Sequence, residues 1–567
     1  MPQANAKSSV CWMRIPPQAP SLTNQHHIEM PPRTPIRRIA LLRPLRPPNS
    51  PRLFTQNTLC CRSRPQLPFL SSPTRKPTAR FLTTERKTWI KDEIWKAGKY
   101  TIVLWTGGVL VLMMAFGLQQ EYLNHKFPSP DEWSWVTRKD WRSVRWAEDH
   151  EEDGVSLVDW ARTGEGYRQL LRRLEDPNID GGGLLDLDDG AILVAGIGKT
   201  GYDISNKSEP WRRGYYELLM GAARCAEHLD GYVRDKTRNI AFPANVVLGP
   251  SNPNPRPVPP GSKSAPREED CEPGFEPPEV YYMRILTTQG FTERQRIDAA
   301  LAYAVWLDYK NTPESALEMH KWALDTAISK TTRPEIDPNT GVITTDGLPS
   351  ANILRVATAL GVHHAINSNL TLALPIFLSV LRARRALPDV PTTMRMTLTP
   401  DVEETSLLQK TRNTILSIIK PPQFPPPPED GTLAPLKTSK EKCEEAGIMT
   451  YIGEILYASK VSKTNREDGL AWTREAVDLA EEELHKKGID KDGKKKCKQC
   501  LEVGLGNWMA MVGKMAKDEK DAKANVQSGG WLGFGGEKRE TIGRWESEEQ
   551  VVIERMRRAK DLLDPKA

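Results

Sequence analysis

Residues 101–118 form a run of eighteen residues without a charged side chain, beginning at Thr101 and ending at Leu118. Extended to residues 100–119 and folded as a helix, this run is about 30 Å long, which matches the hydrocarbon thickness of a bilayer. A buried core helix is the alternative, but no comparably apolar stretch occurs elsewhere in the chain to pack against it. The sequence therefore predicts a single transmembrane helix at residues 100–119.

The N-terminal residues 1–82 have the composition of a mitochondrial transit peptide. The net charge of the chain is +6, yet its first 80 residues hold eleven Arg and two Lys against one acid, Glu29. Such a basic, Ser- and Pro-rich segment almost free of acids is typical of mitochondrial import signals. Arg80 precedes an aromatic residue and Leu82, so we predict cleavage at Leu82–Thr83. A nucleic-acid-binding tail is the alternative, but it would need a denser Lys/Arg run.

The charges that flank the apolar run predict its orientation. Residues 83–99 are basic and are predicted to stay in the matrix, whereas the first Lys or Arg after the run is Lys126. The remaining chain is therefore expected to face the intermembrane space, as a single-pass protein of the mitochondrial inner membrane. The five basic residues before the run are Arg86, Lys87, Lys91, Lys96 and Lys99.

Proline- and glycine-rich interruptions divide the chain beyond the span. They lie at residues 249–278, 420–441 and 519–541, where we expect an extended loop, a polyproline-like linker and a Gly-rich insertion. Spacers are favoured, with proline-recognition ligands as the alternative for the first two. The body carries more acids than bases, so nucleic acid is not an expected partner. The predicted helical regions are residues 120–248, 279–419 and 442–567.

Apolar residues in these regions recur with helical spacing, and pairs of helices repeat. The unit at residues 353–388 fits a tetratricopeptide pattern. Similar pairs are predicted near residues 300–323 and 448–483, with looser ones at 191–228 and 500–563. Five candidates exceed the three repeats that a solenoid needs, so we predict an all-α, tetratricopeptide-like helical-hairpin solenoid after a single transmembrane helix. The residues predicted to pack within the hairpins are Ala316, Ala323, Ala357, Leu360, Gly361, Ala373 and Phe377.

The chain resembles the fungal tetratricopeptide-repeat adaptor subunit of the mitochondrial inner-membrane i-AAA protease supercomplex. The motifs that carry the resemblance are Phe-Pro-Ser-Pro-Asp-Glu-Trp at 127–133, Lys-Thr-Gly-Tyr-Asp-Ile-Ser at 199–205 and Pro-Trp-Arg-Arg-Gly-Tyr at 210–215. The resemblance implies a non-enzymatic adaptor for protein quality control, which binds unfolded membrane proteins and recruits them to the protease. The alternative is a repeat scaffold or assembly factor for an inner-membrane complex.

The glycine-rich stretch at residues 196–201 is the strongest sign of an enzyme. It satisfies a dinucleotide-binding pattern and the end of a phosphate-binding loop, but Leu193 occupies the position where that loop needs its first glycine. No alternation of strands and helices follows it. We therefore predict no catalytic residues and no cofactor, and a nucleotide-dependent enzyme remains a distant third hypothesis.

The cysteines and histidines give no recognisable metal-binding motif. Cys497 and Cys500 are separated by two residues, but no second cysteine pair follows at zinc-ribbon spacing, so two partly buried thiols are favoured over a disulfide. His320, His363 and His364 fall at helix-pair positions and are interpreted as structural.

A cluster of arginine and aromatic residues is the best candidate for a recognition site, because these side chains combine stacking with directed hydrogen bonds. The alternative, which is favoured, is a structural role in which Trp211 caps a core and the arginines are solvated or pair with Glu217. The cluster consists of Trp211, Arg212, Arg213 and Tyr215. The tryptophans that follow the span are instead expected at the membrane interface. They are Trp133, Trp135, Trp141 and Trp146.

Overall fold

A computed structural model describes residues 84–149, 158–186, 201–238, 240–258, 263–329, 335–344, 347–391, 424–459, 463–486, 488–528 and 543–563. The predicted cleavage site at Leu82 and Thr83 and most of the glycine-rich stretch at 196–201 lie outside these ranges. The chain divides into two units after Leu118. Thirteen α-helices and five short strands lie in the described ranges, so the predicted predominance of helices is confirmed.

Helix α1, Thr84–Lys126, contains the apolar run. Its most apolar 18-residue window has a mean hydropathy of 2.1 and none of it is buried, so the helix is long and apolar enough to cross a membrane. The helix extends beyond the predicted span at both ends. Its flanks are rich in Lys and Glu, which are good helix formers, so the helix continues beyond the apolar run.

The first part of the second unit is a bundle of four helices around an aromatic core. Trp133 and Trp141 are 1% and 2% exposed, with ring centroids 5.7 Å apart, so these two pack in the core rather than at a membrane interface. Trp135 is exposed. The helices are α2 (Trp135–Asp149), α3 (Trp160–Glu175), α4 (Glu209–His228) and α5 (Pro278–Thr287). The predicted pair at residues 191–228 therefore contributes α4, which packs mainly against α3 and α5.

Short strands lie beside this bundle. The predicted loop at residues 249–278 is ordered at its end, where it supplies one edge of a three-stranded antiparallel sheet. Main-chain hydrogen bonds between Leu248 and Pro266 and between Glu268 and Leu248, each 3.0 Å long, close the loop onto itself. The strands are β1 (Leu185–Asp186) paired with β2 (Tyr202–Asp203), and β3 (Tyr232–Asp235) between β4 (Ile240–Pro243) and β5 (Cys271–Pro273).

Four helical hairpins follow, and each helix packs against the next one in sequence. The first helices of neighbouring hairpins also touch, α6 against α8 and α10 against α12. Helix α12 continues through residues 519–528, which the sequence had assigned to the Gly-rich insertion. The helices are α6 (Glu293–Tyr309), α7 (Pro313–Ile328), α8 (Ala351–Ile366), α9 (Leu370–Arg385), α10 (Ser439–Ala458), α11 (Lys463–His485), α12 (Lys491–Ser528) and α13 (Arg544–Leu563).

The first two hairpins turn in the same way. Asn311 and Ser368 adopt left-handed conformations, with φ of 59° and 62°. In each case the amide of the next residue donates to the carbonyl five residues before it, Leu307 at 3.0 Å and His364 at 2.8 Å. This arrangement is the Schellman helix ending, which satisfies carbonyls at the end of a helix and reverses the chain within three residues.

Small residues allow the paired helices to approach closely. All seven residues predicted to pack within the hairpins are buried. A Cβ atom on Gly361 would lie 3.0 Å from the Phe377 ring, and one on Gly453 would lie 2.7 Å from the carbonyl oxygen of Gly469. Phe377 also stacks on Tyr451, with centroids 5.3 Å apart, and so links the second hairpin to the third.

A disulfide joins the third and fourth hairpins. It links Cys443 on α10 to Cys497 on α12, whereas Cys500 is a free, buried thiol that donates to the Cys443 carbonyl at 2.9 Å. The interpretation of Cys497 as a free thiol is therefore wrong. Its partner lies 54 residues away in sequence, on a helix that only the tertiary fold brings alongside.

We predict that Gly361→Leu destabilises the protein, because the new side chain has to displace the Phe377 ring from a filled core. Overpacking of this kind costs about 1–3 kcal/mol. Chemical unfolding of the purified chain in detergent, followed by tryptophan fluorescence, measures the change. Gly506→Ala is the matched control: Gly506 is exposed within α12 and no heavy atom lies within 4 Å of the added carbon. It should stabilise by up to about 1 kcal/mol, and equal effects of both variants would contradict the packing argument.

Candidate functional site

Helices α6 and α8 lie side by side and run in the same direction. Near their N-terminal ends Arg355 Nε lies 2.9 Å from Asp298 Oδ1, and near their C-terminal ends His363 Nδ1 lies 2.9 Å from the Asp308 carboxylate. Residues spaced four, three and four apart form one stripe on each helix. We name the surface that carries these stripes the α6–α8 face: Asp298, Ala302, Val305 and Tyr309 on α6, and Arg355, Ala359, Val362 and Ile366 on α8.

The α6–α8 face is charged at one end and apolar at the other. At the N-terminal end burial raises the pKa of Asp298, while the neighbouring Arg355 and Arg294 oppose that shift. At the C-terminal end Val305, Tyr309 and Ile366 are 64%, 56% and 45% exposed. An exposed apolar patch next to a charged one is typical of a binding surface.

An extended segment of the same chain, residues 424–437, is bound across the N-terminal end of this face. The buried Asn352 donates from its side chain to the Asp430 carbonyl at 2.9 Å and from its main chain to the Gly431 carbonyl at 3.0 Å. The Ala351 amide donates to the Leu433 carbonyl at 3.0 Å. The free amides at the start of α8 are therefore satisfied by a peptide in place of water.

The bound segment also contacts α4. Arg213 donates to the carbonyls of Pro425 and Pro426, the latter at 2.8 Å, and its guanidinium lies 4.3 Å from the centroid of the Phe424 ring. Glu209 holds the same arginine in an ion pair of 3.3 Å. Arginine thus recognises a proline-rich stretch by hydrogen bonds and aromatic stacking together.

Two further hydrogen bonds hold the middle and the C-terminal end of the segment. The Asp430 carboxylate accepts from the Arg294 amide at 3.1 Å in the first turn of α6, where a negative charge is favourable. The Lys437 amide donates to the Pro388 carbonyl at 2.9 Å, just beyond α9. The segment assigned to a linker from its prolines is thus a bound peptide that touches α4, α6, α8 and the chain after α9.

The predicted recognition cluster is mostly buried and does not form an exposed patch. Trp211 and Tyr215 are 1% and 0% exposed and stack on each other, and the Tyr215 hydroxyl donates to Glu175 at 2.9 Å. Arg212 donates to the carbonyl of Gly290 at 2.8 Å. Of the four residues only Arg213 contacts the bound segment.

A second concave region lies in the first bundle. A cavity of about 890 Å³ opens between α2, α3 and the sheet strands β3 and β4. Among the described residues its lining includes neither His nor Cys, so a nucleophile–histidine pair is absent from that part of the wall. The lining includes Val144, Trp146, Arg162, Glu165, Tyr232 and Phe275.

The contact between α10 and α12 carries a polar pair comparable to the one between α6 and α8. Glu454 on α10 accepts a hydrogen bond from the side-chain amide of Asn507 on α12. Burial raises the pKa of Glu454 to about 7, and the Asn507 hydrogen bond only partly opposes this. The other Glu454 oxygen is buried without a hydrogen-bond partner in the described part of the chain.

Comparisons with protein-family models, with curated proteins and with solved structures find no match for the chain.

We predict that Glu454→Gln stabilises the protein at pH 8 and reduces its pH dependence. The folded pKa of Glu454, about 7, lies above the unfolded value, so its contribution is fully present below about pH 4.3 and is lost as the pH rises through 7. The neutral amide avoids that loss and should gain about 2 kcal/mol at pH 8.

Melting temperatures measured between pH 5 and pH 8 test this expectation. Glu502→Gln is the control, because Glu502 is exposed on α12 and its amide should change neither the melting temperature nor its pH dependence. A Glu454 variant as pH-sensitive as the wild type would contradict the assignment.

Proposed function

We propose that the chain is a non-enzymatic adaptor, anchored in the mitochondrial inner membrane, that binds unfolded membrane proteins and recruits them to the i-AAA protease. The observation that carries this proposal is the way the helical body holds residues 424–437. The bonds go mainly to main-chain carbonyls of an extended peptide, at Pro425, Pro426, Asp430, Gly431 and Leu433. Every unfolded polypeptide offers such carbonyls, whatever its sequence.

The apolar end of the α6–α8 face adds the second requirement of an adaptor for unfolded proteins. Val305, Tyr309 and Ile366 are exposed at the C-terminal end of the two helices, at the other end of the face from the bound segment. Unfolded membrane proteins expose apolar side chains, and burying such groups against this patch contributes about 25 cal/mol for each Å² of apolar surface. Carbonyl contacts at one end of the α6–α8 face and apolar contacts at the other end together suit a client without a defined sequence.

The arrangement of the hairpins supports a tetratricopeptide-like solenoid. The α6–α7 and α8–α9 hairpins share one turn geometry, and α6 touches α8 as α10 touches α12. In such solenoids the first helices line a surface on which extended peptides bind. The α6–α8 face belongs to those first helices.

The disulfide between Cys443 and Cys497 supports the proposed compartment. Disulfides persist in oxidising compartments and are rare where thiols are kept reduced, so this bridge favours a body that lies outside a reducing compartment. The basic residues 83–99 favour a matrix location for the other end of α1. Both features agree with a domain in the intermembrane space, where the resemblance places the i-AAA protease.

We predict that the Val305→Asp/Ile366→Asp variant binds an unfolded reporter at least about tenfold more weakly than the wild type. Two new charges on the patch remove apolar surface from the interface and require desolvation on binding. Fluorescence anisotropy of a reduced, carboxymethylated protein, titrated with the full chain in detergent and without nucleotide, measures the affinity. The control is Val551→Asp/Ile553→Asp, because these two residues on α13 are 55% and 51% exposed.

Equal weakening by both double variants would remove the α6–α8 face from the proposal. A wild-type chain that ignores the unfolded reporter, and co-isolates from digitonin extracts with a folded inner-membrane complex but without the AAA protease, would favour the scaffold or assembly-factor hypothesis. Co-isolation of the protease with both double variants, together with client binding lost only in the α6–α8 variant, would support the adaptor.

We predict that protease added to mitoplasts, which retain an intact inner membrane, digests the body and leaves a short matrix-side fragment. Five basic residues precede the apolar run, and Gln119, Gln120 and Glu121 follow it, so the N-terminal flank should remain in the matrix. Immunoblotting against a C-terminal epitope gives the readout, and intact mitochondria serve as the control. A body that resists digestion until detergent is added would lie in the matrix, which would exclude the adaptor function.

A further inference from the structure

Three consecutive helices bring two histidines and an aspartate together inside the body. Asp308 lies on α6, His320 on α7 and His363 on α8, and one ligand-type atom from each lies within 4.8 Å of the others. The histidines are 1% and 4% exposed and the aspartate side chain is 8% exposed. The three residues are separated by 12 and 43 positions in sequence, so the cluster exists only because the hairpins stack.

Part of this cluster is held by hydrogen bonds. His363 Nδ1 lies 2.9 Å from both oxygens of the Asp308 carboxylate. Asn367 donates from its side-chain amide to the His363 carbonyl at 3.0 Å and approaches the Asp308 carboxylate at 3.4 Å. The Asp308 carboxylate and the Asn367 amide thus hold the His363 ring in one orientation.

His320 is the one residue of this cluster whose buried polar atoms have no hydrogen bonds to explain them in the described part of the chain. Its ring centroid lies 5.0 Å from that of His363, and neither of its ring nitrogens has a hydrogen-bond partner among the described residues. A neutral imidazole carries one donor and one acceptor, and burying both without partners is unfavourable. Burial and the neighbouring His363 lower the pKa of His320 to about 4.

We propose that Asp308, His320 and His363 form a buried binding site for a divalent transition-metal ion. Two imidazoles and one carboxylate are a recurrent ligand set for zinc, and tetrahedral zinc then keeps one position for water. At zinc–nitrogen and zinc–oxygen distances of about 2.0 Å, ligand atoms lie about 3.3 Å apart, so modest side-chain rotations from 4.8 Å complete the site.

The ion would cross-link three helices of the body. Its ligands come from both helices of the first hairpin and from the first helix of the second hairpin, so binding ties α6, α7 and α8 together. Because the ligands come together only in the folded chain, zinc binds the folded state preferentially and raises its stability. This role is separate from the proposed adaptor function, and each can fail without the other.

Metal binding to the full chain in detergent, purified through a tag without histidine, tests the proposal. After chelation and dialysis, the wild type should take up one zinc ion per chain by mass spectrometry and melt at a higher temperature when zinc is restored. Co²⁺ in place of zinc should give visible absorption bands of a tetrahedral site without thiolate ligands. Removal by chelator should reverse each effect.

Two variants remove different ligands. His320→Leu fills the same space without polar atoms and Asp308→Asn preserves the shape of the carboxylate, so one of them remains informative if the other fails to fold. Each should bind zinc at least about a hundredfold more weakly and lose the melting response. His485→Asn is the control, because His485 is exposed on α11 and lies outside the cluster. A wild type without stoichiometric zinc, or ligand variants that bind zinc as tightly as the control, would overturn the proposal.

Discussion

The parallel packing of α6 against α8 is the contact on which the docking of residues 424–437 and the buried Asp308–His363 pair both depend. Two hairpins in sequence, each closed by a three-residue turn, place their first helices side by side in the same direction. Small residues on α8, such as Ala357 and Gly361, let the two helices of the second hairpin pack closely enough for this alignment. Consequently the N-terminal turns of α6 and α8 lie together at one end, where their unpaired amides receive residues 424–437.

The same packing explains why the two ends of the contact differ. Asp298 and Arg355 meet at the N-terminal end, beside the bound segment, whereas the C-terminal end exposes Val305, Tyr309 and Ile366 and buries the Asp308–His363 pair. Asp298 pairs with Arg355 and Asp430 accepts from a main-chain amide at the helix starts, whereas the buried His320 has no hydrogen-bond partner among the described residues. Peptide binding and the proposed metal binding therefore use opposite ends of one helix pair.

A polyproline-like peptide suits the position it occupies. Proline lacks a main-chain donor, so residues 425–428 bring carbonyls without amides that would need partners in return. Arg213 on one side and the first turn of α8 on the other supply donors only.

The sequence by itself determined what depends on local spacing. The uncharged run near Thr101 follows from composition and length, and the helical hairpins and the small residues within them follow from periodicities of three and four residues. Tertiary structure alone decided the pairing of Cys497 with Cys443, the burial of Trp211, the docking site of residues 424–437 and the meeting of Asp308 with His320 and His363. These contacts join positions far apart along the chain, and their geometry depends on the angle and register at which helices cross. Spacing along a single helix carries no information about that angle, because many partners can bury the same apolar stripe.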